Sequence, residues 1–375
     1  MPELLKNFFS PDLVRRIAAD LVRAHPAFPV DSFLERATSG LGALELLDRG
    51  RHIARAMAEA LPEDYPHAID ILLRSLGPEH RSNELDGSGM APFFYLPHTL
   101  YVQEHGLEHF DLSMHAQYEL TKWFTAEWSI RAFIERDPER TFTYLGAWTD
   151  DPNPHVRRLV SEGTRLRLPW ARRVEWLDEN PGRVLELLER LRDDPTTLVR
   201  RSVANNLNDL GKVHPELLTR TCAVWAEGAS PERRALIEHA LRSAVKRGDP
   251  EALEILGYGK PAAVVIEDVR FEPGHVEIGG RVTIGFSLRS ADTVPQNVLV
   301  DLAVHFVKAG GRTAPKVFKV RRVVVPPGGR VPLQTRVSLA VHTTRKPRPG
   351  RHTVDVLLNG ERRRLGAFEV ESPAS

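Results

Sequence analysis

Cysteine is almost absent from this chain of 375 residues. Cys222 is the only one, which excludes an intramolecular disulfide and a cysteine-based zinc site and leaves the thiol to be read as a small buried apolar group. Long apolar runs are missing as well: none approaches the roughly 18 residues of a transmembrane helix, so no membrane partner is expected. The opening, MPELLKNFFSPDLVRRIAADLV, has early charges, polar interruptions and no small-residue cleavage site. It does not read as a secretion signal, and the cytoplasm is the expected location. Several catalytic signatures are lacking too. There is no G-x-S-x-G, and the GYGK at 257–260 has not the spacing of a P-loop. The histidines at 98, 105, 109 and 115 include two that are four residues apart, but no H-E-x-x-H accompanies them. Serine-esterase chemistry and nucleotide hydrolysis are thereby disfavoured, and neither a metal nor a cofactor is expected.

A net charge of only +1 names no partner, but its distribution does. Residues 260–375 hold 19 lysines and arginines against 10 acids, a balance of +9, and residues 1–259 hold 32 against 40, a balance of −8. Such asymmetry points to nucleic acid or another acidic partner for the basic part. The length calls for two or three domains, and the hydrophobic period marks the boundary. Over residues 1–256, stretches such as LELLDRGRHIARAMAEAL and AQYELTKWFTAEWSIRAFIE place apolar residues three and four apart, the spacing of amphipathic helices. From Ala262 the period becomes two, with β-branched runs such as NVLVDLAVHFVK and KVFKVRRVVV. PPGG at 326–329 and Asn359-Gly360 read as hairpin turns, the second of type I′. The expected organisation is an all-α half over 1–256, a linker over 257–261 and an all-β sandwich over 262–375.

The helical half repeats itself. Residues 137–160 and 180–203 align at an offset of 43 with 10 identities in 24 positions, including DDP and a Val-Arg-Arg triplet. A period in the forties with two helices per unit is that of HEAT-like solenoids, which expose a continuous concave surface. The triplets put Arg157, Arg158, Arg200 and Arg201 at equivalent positions, so these arginines should form a ladder along one rim. That ladder reads either as a phosphate track or as a structural lattice with Asp150, Asp151, Asp193 and Asp194 just before it. Glu162 lies four residues after Arg158 and three before Arg165. A carboxylate in a basic rim stays ionised and could stabilise a second cation. Glu127 is the odd polar residue in FTAEWSIRAF, among Trp123, Phe124 and Trp128, whose rings belong partly to the core. In the β-domain, HTTRKPRPGRH at 342–352 gathers Arg345, Lys346, Arg348 and Arg351 on one loop or sheet edge, a candidate contact for an acidic partner such as nucleic acid.

Taken together, MAPFFYLPHTLYVQEHGLEHFDLSMHAQYELTKWFTAEWSIRAFI, DPNPHVRRLVSEGTRLRLPWA and LVRRSVANNLNDLGKVHPELL resemble the bacterial alkylpurine DNA glycosylases built on HEAT-like repeats, in particular the AlkC branch. One subgroup of that branch carries a C-terminal immunoglobulin-like domain, which implies that identity for residues 262–375. The resemblance implies hydrolysis of the N-glycosidic bond of cationic bases such as 3-methyladenine and 3-methylcytosine in double-stranded DNA, on a base left in the duplex. It implies catalytic roles for Glu127 and Glu162, a stacking role for Trp170 against the deoxyribose or the cationic base, and phosphate contacts from Arg158 and Arg165. It departs from the family pattern at Leu166, where a proline is expected. No protein partner is required and a monomer is expected. Two other classes fit the residues alone: a non-enzymatic HEAT-repeat scaffold, and a DNA-binding protein without catalysis.

Overall fold

A computed structural model describes residues 5–77, 91–308, 310–341 and 346–372. Its helices are α1 (Pro11–Ala24), α2 (Val30–Thr38), α3 (Leu46–Ala60), α4 (Tyr65–Arg74), α5 (Leu96–His105), α6 (Phe110–Leu120), α7 (Ile130–Arg136), α8 (Pro138–Trp148), α9 (Pro154–Gly163), α10 (Glu175–Glu179), α11 (Pro181–Leu191), α12 (Thr197–Leu210), α13 (Pro215–Ala226), α14 (Pro231–Arg247) and α15 (Pro250–Ile255). The strands are β1 (Val264–Glu272), β2 (His275–Glu277), β3 (Arg281–Ser290), β4 (Gln296–Val307), β5 (Thr313–Val325), β6 (Arg330–Ser338), β7 (Gly350–Leu358) and β8 (Glu361–Glu371). Helices followed by strands is the order the periodicity predicts.

The chain divides into two compact units. One takes the described residues up to His214 with Ala229–Ala240, the other Pro215–Gly228 and the described residues from Leu241 on. In the first unit the offset of 43 is visible as geometry: α8 and α11 start at Pro138 and Pro181, α9 and α12 at Pro154 and Thr197. Side-chain capping marks the first two of these starts. Asp137 and Asn153 accept from the Arg140 and His155 amides, each followed by a proline that has no amide to leave unpaired. Asp151 and Asp194, 43 apart, each accept through Oδ1 from the amide two residues on, at 2.8 Å. The buried faces are those of the pattern, for example Val156, Leu159 and Val160 on α9 and Val199, Val203 and Leu207 on α12.

In the second unit, β1, β3 and β6 form one antiparallel sheet, and β2, β8, β7, β4 and β5 form another. Alternate residues of β4, Val298 through Phe306, fill the core with Ile284, Phe286, Val354 and Phe368. Asn359-Gly360 is the expected turn between β7 and β8, with φ of 51° and 80°. PPGG at 326–329 is not a hairpin turn, because β5 and β6 lie in different sheets and the segment carries the chain across the sandwich. The helical tail belongs with the strands. Thr219 donates to Glu251 at 2.6 Å, joining α13 to α15, and Asn359 Nδ2 donates to the Lys260 carbonyl at 2.9 Å. A Cβ on Gly360 would stand 2.4 Å from Leu253 Cδ1, so the hairpin glycine also admits α15. Such contacts tie the end of the helical half to the strands.

Candidate active site

The residues that carry chemistry meet in a cleft of about 460 Å³ in the first unit. Glu127 enters it from the irregular segment between α6 and α7. Thr125 fixes it in a small turn: the Glu127 amide donates to Thr125 Oγ1 at 3.3 Å, and that hydroxyl donates to Glu127 Oε2 at 2.9 Å. Glu162 comes from the last turn of α9, which can approach α7 because residue 163 is glycine; a Cβ there would stand 2.6 Å from Ile130 Cγ2. Both carboxylates are buried, Glu127 8% and Glu162 4% exposed.

Arg158 joins them. Its Nη2 lies 3.1 Å from Glu127 Oε2 and 3.7 Å from Glu162 Oε1, and Glu162 Oε2 accepts from Arg165 at 2.9 Å. Arg165 is held by Asp209 at 2.8 Å, and Asp209 by Lys212 at 2.7 Å. Charges of alternating sign therefore run from Glu127 to Lys212. Burial pushes Glu127 above the usual carboxylate range against the opposing pull of Arg158. Burial disfavours the Arg158 and Arg165 cations, but the neighbouring carboxylates outweigh it and hold both above the ordinary guanidinium value. Both Glu127 bonds fall on Oε2, so Oε1 has no hydrogen-bond donor among the described residues.

Aromatic rings form the wall. Phe93 meets Phe124 with centroids 5.1 Å apart, Phe124 meets Trp128 at 5.8 Å, and Trp128 stacks on Trp170 at 6.5 Å and 22°. Trp170 is 60% exposed and sits in the left-handed region at φ 63°. That backbone costs a bulky side chain about 1–2 kcal/mol, and strain of this kind gathers at functional sites. The tryptophan of LRLPW thus projects over the cleft, and Leu166 in the same stretch is buried.

Family-model comparison matches residues 101–247 to "DNA alkylation repair enzyme" and 265–372 to "Uncharacterised protein YhaZ, C-terminal Ig-like domain". The uncharacterized protein YhaZ of Bacillus subtilis (strain 168) is 33% identical over 367 residues, 98% of this chain and 99% of that one. The solved structure of the Pseudomonas fluorescens alkylpurine DNA glycosylase AlkC, bound to DNA containing an abasic site analog, is 35% identical. It superposes with a TM-score of 0.90 over 98% of this chain and 100% of its own. The chain belongs to the AlkC family. Like that AlkC structure it is a helical half followed by an Ig-like β-domain.

Within this AlkC-family chain the predicted arginine ladder divides into two roles. Arg157 is not a free cation: its Nε and Nη2 grip both Asp194 oxygens at 2.6 and 3.0 Å, and its Nη1 donates to the Asp151 carbonyl at 2.7 Å. Arg200, its equivalent, donates to the Asp194 carbonyl and to Thr197. The first arginine of each triplet therefore takes the lattice role, one of the two readings that the sequence left open. Arg158 and Arg165, expected at flanking phosphates, pair here with the two glutamates. Arg201 is exposed in a separate groove with Arg200, Pro231 and His239. In the β-domain Lys346, Arg348 and Arg351 are exposed and have no carboxylate partner among the described residues. Arg345 lies outside the described residues. His155 and Asn205 also line the cleft and went unrecognised in the sequence. A signal for Asn205 existed, since it is the counterpart of Glu162 at the offset of 43. Of the two histidines four residues apart, His109 stacks on Tyr65 and His105 lies tilted against Tyr101, with centroids 4.7 and 5.0 Å apart.

Proposed function

We propose that this protein is a monofunctional DNA glycosylase that releases cationic alkylated bases, 3-methyladenine and 3-methylcytosine, from duplex DNA for base excision repair. The observation that carries the reading is the meeting of Glu127 and Glu162 at Arg158 in an aromatic-walled cleft beside Trp170. A methylated cationic base is already a good leaving group. The C1′–N bond breaks with its electron pair going to the base, and the enzyme's task is to stabilise the sugar cation and to supply water to C1′. Two buried carboxylates suit the cation. Glu127 Oε1 suits the water, whose proton it accepts as the C1′–O bond forms. Trp170 offers a π-face to the deoxyribose or the cationic base.

Other features support the finer points. A projecting, exposed Trp170 favours a base approached in the stacked duplex over one flipped into a deep pocket. Lys122 lines the cleft, but Glu119 holds its ammonium at 2.9 Å and it lies over the Tyr118 ring, which favours hydrolysis over amine-based lyase chemistry. Arg201 with Lys346, Arg348 and Arg351 supplies phosphate contacts, and Arg345 adds to them. The protein acts as a monomer at the nucleoid in the cytoplasm, without cofactor or metal. The test is incubation with duplex DNA containing 3-methylcytosine or 3-methyladenine, followed by detection of free base and abasic sites. Release by the protein and none by the Glu127→Gln/Glu162→Gln variant is expected. Tight DNA binding without release would leave a binding protein, and neither binding nor release a scaffold.

A further inference from the structure

Trp170 stands on a stretch without regular secondary structure between α9 and α10, in a backbone conformation that a tryptophan does not adopt by preference. Something outside the stretch has to hold it. Trp128, just before α7, and Arg131 and Glu135 within it do so. Trp128 Nε1 donates to the Pro169 carbonyl at 3.2 Å and its ring stacks on Trp170. Glu135 pairs with the Arg172 guanidinium.

Arg131, between them, is 4% exposed and makes four bonds to main-chain carbonyls. Its Nη1 donates to Gly163 at 3.0 Å and Arg165 at 2.8 Å; its Nε and Nη2 donate to Arg172 at 3.2 and 2.9 Å. One planar group thus ties the end of α9, which carries Glu162, to the chain just after Trp170. Among the described residues no carboxylate bonds this guanidinium, and burial lowers its pKa to about 10. Helix packing alone does not call for such a group, since an apolar side chain of similar volume fills buried space at lower cost. Lysine cannot replace it either, because the two sets of carbonyls lie at opposite edges of a rigid fork.

We infer that Arg131 is a positioning residue for base release, fixing Trp170 and Glu162 in one geometry through the carbonyls of residues 163, 165 and 172. The role rests on the proposed glycosylase reading, but its structural half does not. The experiment measures single-turnover release of 3-methylcytosine from duplex DNA by Arg131→Met and Arg131→Lys, each alone and combined with Trp170→Ala. Misplacement by about an ångström costs on the order of 100-fold, so Arg131→Met should lose about 100-fold and Arg131→Lys about 10-fold. Affinity for duplex DNA with an abasic analogue should stay within about 3-fold. In the Trp170→Ala background, Arg131→Met should cost less than about 5-fold more, because its main object is gone. Fully additive losses, or an unimpaired Arg131→Met, would overturn the role. Acrylamide quenching of Trp170, isolated by subtracting the matched Trp170→Phe proteins, should rise in Arg131→Met; unchanged quenching overturns it whether or not any base is released. Should Arg131→Met fail to fold, Arg131→Lys carries both measurements. A wild-type protein that releases no base, with altered quenching in the variant, would refute the glycosylase reading and leave the positioning intact.

Discussion

Replacing Glu127 by glutamine separates catalysis from stability in opposite directions. Two carboxylates share the Arg158 cation, at 3.1 and 3.7 Å. A single carboxylate about 4 Å from a developing sugar cation contributes roughly 4 kcal/mol at an effective dielectric of 20, and sharing with Arg158 brings this to about 3 kcal/mol. Glu127→Gln should therefore slow single-turnover base release about 100-fold, with DNA affinity kept. Stability should move the other way. Because burial raises the Glu127 pKa in the folded state, the folded protein holds this proton more tightly than the unfolded chain. The ionised form costs stability at neutral pH, and that cost is relieved as pH falls through the raised value. Glutamine is neutral at every pH and still accepts from Arg158 and Thr125, so its melting temperature should equal or exceed that of the wild type at pH 7. By the same sign, release by the wild type should fall on the acid side with a pKa above the usual carboxylate range, since the working form is ionised. Calorimetry and rapid-quench release across pH check both halves. A Glu127→Gln variant that releases base within a few-fold of wild type, or that melts well below it, refutes the assignment.

Arg157→Ala and Arg201→Ala should part company. The first breaks a buried two-point pair with Asp194 and should cost about 3 kcal/mol in urea unfolding while the salt dependence of DNA binding holds; the second should leave unfolding untouched and lower the slope of log affinity against log salt by about one. Gly163→Ala drives a methyl into Ile130 and should destabilise by about 1–3 kcal/mol in the same assay, with loss of base release. Trp170→Gly should be about 1 kcal/mol more stable than Trp170→Ala, because glycine accepts φ 63° without strain, while both release base poorly. Lys346→Ala/Arg348→Ala/Arg351→Ala should weaken duplex binding without altering the melting temperature; unchanged binding would remove these cations from the DNA surface.

Much of this was legible in the sequence because repetition is a local signal. The offset of 43 announced a repeated pair of helices, which begin at 138 and 154 and again at 181 and 197, and the change to a period of two announced the strands. The turn at 326–329 misled because PPGG reports a tight turn and not which sheet receives the next strand, a matter of long-range pairing. Glu127 and Glu162 could be named, but not their junction: residues 35 apart meet only because Gly163 lets α9 close on α7. Nor could spacing divide the arginines, since Arg157 and Arg158 are adjacent in sequence and point to different neighbours about 100° apart around the helix.

That angular difference explains how one repeat serves two ends. The first arginine of the triplet faces the next repeat and finds Asp194; the second faces the cleft and finds Glu127 and Glu162. In the following repeat the first arginine keeps its lattice bond to the Asp194 carbonyl, whereas the second, Arg201, stays exposed, and the position of Glu162 is taken by Asn205. In the unit with the glutamate, the second arginine of the triplet lies between two carboxylates. Arg201 has no such acid four residues on, so its charge remains available to phosphate. Under the proposed function the same scaffold serves base release in one repeat and phosphate binding in the next, a division that follows the exchange of Glu162 for Asn205 at equivalent positions. Asn205→Glu should accordingly tie up Arg201 as an i,i+4 pair and weaken duplex binding about as much as Arg201→Ala, a loss read by salt titration; undiminished affinity would show that Arg201 does not contact the DNA backbone.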